Sequence, residues 1–106
     1  MGTKKEYIEY VMDSIQGIGH LRYKKMFGEY MVYIDEKPAL LVCDDTVFVI
    51  KIDELKDLFM SCDQGFPYQG AKEHYILDID DKEQSKTLIK HILPYLKIPK
   101  RKIKDS

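Results

Sequence analysis

Apolar residues near the start of the chain return every three or four positions, at Tyr7, Ile8, Val11, Met12 and Ile15, with Lys5, Glu6, Glu9 and Asp13 between them. That spacing predicts a helix over about Lys4 to Gln16 with one inward stripe. Thr3 followed by Glu6 predicts a capping box at its start, and Gly17 and Gly19 end it. From Leu21 the period falls to two, which marks strands. Leu21 to Met26 and Glu29 to Asp35 read as a strand pair joined at Phe27-Gly28, with Gly28 supplying the tight corner. Turns at Asp35-Glu36-Lys37-Pro38 and Asp44-Asp45-Thr46 separate a third strand, Ala39 to Cys43, from a fourth, Val47 to Ile52. Connections this short rule out parallel crossovers, so the four strands are expected in meander order.

Further on, Asp53 to Met60 predicts a short helix capped by Asp53, with positions 55, 58 and 59 on one side. Ser61 to Lys72, with Gly65, Pro67 and Gly70, reads as a loop pinned by Phe66 and Tyr68. His74 to Asp78 is a fifth strand. Asp80 and Glu83 open a closing helix whose inward positions are Leu88, Ile89, Ile92, Leu93 and Leu96, and Pro94 kinks or ends it. The fold class expected is α+β: a curved antiparallel sheet of about five strands flanked by N- and C-terminal helices. The division expected is a domain over 1–96 and a basic, flexible tail over 97–106.

The 106 residues suffice for one core. No apolar run approaches the ~18 residues of a membrane span, and no secretory leader opens the sequence, so a cytoplasmic protein without membrane association is expected. The net charge of −1 conceals an asymmetry. The last ten residues hold five basic side chains and one acidic, a net of +4, whereas the preceding 96 hold 12 basic and 17 acidic, a net of −5. An acidic body repels a polyanion, so nucleic-acid contact is expected to be absent or indirect, confined to the tail.

No chemistry-bearing constellation stands out. Cys43 and Cys62 are expected to be reduced, and neither has a histidine at zinc spacing. Asp44-Asp45 and Asp78 to Asp81 match no calcium loop and are explained by a turn and a helix start. The glycines at 65 and 70 build no phosphate loop. The expectation is therefore no catalytic residue, no metal and no cofactor. The residues singled out as an interaction surface are Arg22, Tyr23, Lys25, Phe27, Tyr30 and Tyr33 in the hairpin, with Tyr68 and Lys72 in the loop. Tyrosines on a pleated surface serve packing as readily as recognition.

Lys25-Met26-Phe27-Gly28-Glu29-Tyr30 with Tyr33 resembles the signature of the TfoX/Sxy N-terminal domain family, the regulators of competence-specific genes. The agreement extends from about Thr3 to Leu96, through Lys5-Glu6-Tyr7, the strands between Pro38 and Ile52, and Pro67-Tyr68-Gln69-Gly70-Ala71-Lys72. The resemblance implies a bacterial α+β domain. In longer members a helical second domain follows, and the protein promotes DNA-uptake genes together with the cyclic-AMP receptor protein. The sequence stops at Ser106, before any such second domain, so the expectation is a stand-alone N-terminal domain. The implied function is non-enzymatic regulation or adaptor binding to another protein, in transcriptional or competence control. The alternative is a small-ligand or nonspecific nucleic-acid binder using the 66–72 loop and the basic tail. Open sheet edges also leave room for a homodimer.

Overall fold

A computed structural model describes residues 4–26 and 29–99. Helix α1 (Lys5–Ser14) precedes strands β1 (Leu21–Met26), β2 (Glu29–Ile34), β3 (Lys37–Cys43) and β4 (Thr46–Ile50). After a 3₁₀ turn (Asp53–Leu55) come β5 (Asp63–Gly65), β6 (His74–Leu77), α2 (Lys82–Ile92) and a second 3₁₀ turn (Leu93–Tyr95). The Thr3–Glu6 capping box and the Phe27-Gly28 corner involve positions outside the described residues, as does the tail beyond Pro99.

The expected α+β class is the observed one, with six antiparallel strands rather than five, in the order β1-β2-β3-β4-β6-β5. The first four follow one another as a meander. β6 then pairs with β4 through Val47↔Leu77 to Ile50↔His74, and β5 pairs only with β6, at the edge. Two-residue turns close the hairpins on either side of β3. Asp35 and Glu36 (φ 52° and 68°) and Asp44 and Asp45 (φ 54° and 56°) take the left-handed conformations that match strand twist. Pro38 is accommodated inside β3 beside a bulge between Val32 and Tyr33, where a missing N–H costs little.

Strand parity sorts the side chains. Val32, Ile34, Leu40, Val42, Val47 and Val49 are buried on one face, and both helices cover that face. From α1 come Ile8, Val11 and Ile15, and from α2 Leu88, Ile89 and Ile92, all within the same cluster. Burying three such aliphatics from one helix stabilises it by at most roughly 5–9 kcal/mol. The buried hydroxyls are satisfied: Ser14 donates to the Tyr10 carbonyl at 2.8 Å and Ser85 to the Asp78 carbonyl at 2.9 Å.

Three local expectations are corrected. The segment expected as a short helix is a 3₁₀ turn continued by further i→i+3 bonds, Leu58 N–H to Leu55 and Phe59 N–H to Lys56, and Asp53 does not cap it. This tighter winding delivers Phe59 into the core at 2% exposure. Part of the expected loop, Asp63–Gly65, is a strand, because β6 offers it an open ladder. Asp81 rather than Asp80 caps α2, accepting from the Gln84 N–H at 3.2 Å, while Asp80 accepts from the Tyr10 hydroxyl. Pro94 falls in the 3₁₀ turn that ends α2.

Candidate functional site: the helix-free face of the sheet

Residues of the opposite parity face away from both helices. Across the middle of the sheet they are Met31, Leu41, Phe48, Ile50 and Ile76, joined in register by Met31↔Leu41, Leu41↔Phe48 and Phe48↔Ile76. β3 and β4 are thus apolar on both faces, which accounts for their uninterrupted apolar runs. Neither described helix covers this side. Phe48 is nonetheless only 6% exposed, and the segment after β5 brings Tyr68 to the groove that Phe48 lines.

That segment is tied at its base. Lys51 Nζ donates to Glu73 at 2.7 Å and also to Gln64, and His74 Nδ1 donates to the Lys72 carbonyl at 2.7 Å. The His74 ring meets the Phe48 ring edge-on at 6.4 Å. The Ala71 N–H closes a turn on the Tyr68 carbonyl, and Gly70, at φ +89°, allows it. Pro67 is buried, whereas Phe66 and Tyr68 on either side of it are 61% and 54% exposed. Tyr68 overhangs a groove of about 490 Å³ lined by Met26, Glu29, Met31 and Leu41. A second groove of about 320 Å³ continues past Phe48 and Ile50 to Leu96.

The singled-out residues do not form one patch. Tyr30 is buried and Tyr23 half-buried on the helix-covered face, their rings edge-on at 5.3 Å. Arg22 lies on the helix-free side, its guanidinium 4.1 Å over the Tyr33 ring and paired with Glu36 at 2.9 Å. Lys25 is exposed on β1, Lys72 is exposed in the loop, and Phe27 lies outside the described residues. Tyr68 borders a groove. Met26, Met31 and Leu41 are the wall residues that sequence reasoning missed, although the two-sided apolar runs of β3 and β4 carried the signal.

Glu29, on the groove wall, adds to the effect of burial on Cys43. Burial first, then the Glu29 charge and the hydrogen bond the thiol donates to it, with Asp44 adding, push this thiol up to about 12. Cys43 is 1% exposed, and the shift favours its protonated, less nucleophilic form. Burial and Asp63 also raise the half-buried Cys62. A raised thiol gives stability that is complete below the ordinary 9.0 and is lost as pH climbs toward about 12, because only the unfolded chain ionises. Melting temperature should therefore decline over that interval, and Cys43→Ala should flatten the decline. An unchanged slope would show that Cys43 does not set it.

Among the described residues no group of three or more His, Cys, Asp or Glu side chains converges as a metal site would require. Asp80 and Asp81 are engaged as described above, and Asp44 and Asp45 form a turn. No described helix is long and apolar enough to cross a membrane.

No family model matches the chain. It is 31% identical over 109 residues to the uncharacterized 12.7 kDa protein in the trpE 5' region of Spirochaeta aurantia, an alignment spanning 100% of this chain and 95% of that protein. Identity at this level across essentially both whole sequences places the chain in the same family as the Spirochaeta protein.

Proposed function

We propose that the chain is a non-enzymatic regulatory or adaptor domain of the TfoX N-terminal type, which binds another protein through the helix-free face of its sheet in transcriptional or competence control. The observation that carries this reading is the groove beneath Tyr68, walled by Met26, Met31 and Leu41, with Phe66 exposed two residues before Tyr68 in the chain. Aromatic anchors beside a methionine-walled apolar groove are the usual components of a protein contact. The protonated, buried Cys43 supports a non-enzymatic role. The double substitution Phe66→Ser with Tyr68→Ser should weaken capture of the native partner by about thirtyfold, the loss of one interface hot spot. Its melting temperature should stay close to that of the parent, since both rings are largely in solvent. Unchanged capture would remove this face from the function.

A second reading is favoured by the groove volume of about 490 Å³, which is within the usual range for small-ligand sites. A thermal-shift screen over nucleotides and short oligonucleotides separates the two. Stabilisation abolished by the same double substitution would favour the ligand reading.

A further inference from the structure

The outer side of β1 pairs with no described strand. Its exposed hydrogen-bonding groups can be assigned from the ladder. The Asp35 N–H donates to the His20 carbonyl at 2.8 Å, which makes that pair a hydrogen-bonded one. By alternation along Leu21↔Ile34 to Met26↔Glu29, Arg22, Lys24 and Met26 bond to β2. The N–H and C=O groups of Leu21, Tyr23 and Lys25 therefore point outward.

Charge along this edge is one-sided. Arg22 is neutralised by Glu36, whereas Lys24 and Lys25 are exposed and form no ion pair among the described residues. Lying on successive positions, the two lysines project to opposite faces of the sheet. We infer that β1 is a docking edge for an extended acidic segment of another protein, added antiparallel, with consecutive carboxylates opposite Lys24 and Lys25 and apolar side chains opposite Tyr23 and Met26. This inference rests on reading the chain as a protein-binding domain.

Charge also disfavours a second copy of the chain at this edge. Antiparallel pairing of β1 with itself about Lys24 or Lys25 sets these exposed cations face to face. Lys24 meets Lys24 in one such register and Lys25 meets Lys25 in another, and like charges directly opposite destabilise a ladder. Edge lysines resist self-association in this way. The same repulsion selects an acidic strand.

The test uses the full chain and two fluorescein-labelled peptides with blocked ends, one with the core Val-Glu-Glu-Val-Thr-Val and one with Val-Lys-Lys-Val-Thr-Val, read by polarisation. The glutamate peptide should bind, with amide-shift changes centred on Leu21, Tyr23 and Lys25, and the lysine peptide should not. The Lys24→Glu, Lys25→Glu double variant should bind the glutamate peptide at least about tenfold more weakly and gain the lysine peptide. No binding of the glutamate peptide, equal binding of both, or binding that survives the charge reversal would each overturn the inference. The Phe66→Ser, Tyr68→Ser variant keeps both lysines and should still prefer the glutamate peptide to the lysine peptide. If the peptide test fails while that variant still loses its native partner, the adaptor reading stands and the edge inference alone falls.

Discussion

Phe59→Ala should lower unfolding free energy by about 3–5 kcal/mol, the usual cost of deleting a buried aromatic ring. Phe59 is 2% exposed, and its ring stacks on that of Tyr75 with centroids 4.8 Å apart and planes 15° apart. It is the plug that the irregular segment after β4 inserts beneath the sheet, and Tyr75 carries the contact into β6. A domain of this size has only about 5–15 kcal/mol in total, so the variant should sit near the edge of folding. Urea unfolding checks it, with Met60→Ala as control. Met60 is the next residue but is 78% exposed, so its loss should change stability by no more than about 0.5 kcal/mol. Equal midpoints for the two variants would mean that Phe59 does not hold this segment.

Gly19→Ala should cost about 2–4 kcal/mol, for two separable reasons. Its φ of +154° is a conformation that side-chain-bearing residues rarely adopt. A Cβ there would also lie 2.9 Å from Asp35 Oδ2 and 3.0 Å from Ile34 Cγ2. The Asp35 carboxylate cannot simply swing aside, because its Oδ1 accepts the His20 N–H at 2.9 Å while the Asp35 N–H donates back to the His20 carbonyl. This two-way clasp joins the entry of β1 to the first hairpin turn. Gly17 isolates the backbone contribution, since at φ +95° its added Cβ would meet nothing within 4 Å. Gly17→Ala should therefore cost only about 1–2 kcal/mol. Thermal melts of the two variants compare them directly, and a Gly17 variant as damaged as the Gly19 one would discount the clasp.

Periodicity located the long elements because each has one consistent environment. The α1 stripe and the strand pair of β1 and β2 could be read this way from residue order, and so could the α2 stripe of Leu88, Ile89 and Ile92. Asp63-Gln64-Gly65 carried no such signal. These three polar or small residues form a strand only because the outer ladder of β6 is available to them, a cause that lies ten residues away in the sequence and in the fold rather than in local preference. The segment from Asp53 to Met60 misled for a related reason. Its apolar spacing fits a helix, but seating Phe59 against Tyr75 goes with a tighter 3₁₀ winding.

The candidate site was partly legible. Tyr68 was singled out for its place in a glycine- and proline-rich loop and borders the groove. The hairpin tyrosines were grouped by nearness in sequence, yet parity sends Tyr23 and Tyr30 to one face and Tyr33 to the other. What had no sequence counterpart was the pairing of Glu29 with Cys43 across two strands, since nothing local announces it.

The insertion of β6 between β4 and β5 bears on how the chain is made. The first four strands leave the ribosome in order and can pair as neighbours. At that stage Val47, Phe48 and Val49 form an open, apolar edge, and the face that α2 will cover is bare. Neither deficit is relieved until residues 74–92 have also emerged. The nascent chain must therefore carry an aggregation-prone strand from the completion of β4 until α2 has been made, before its core can close.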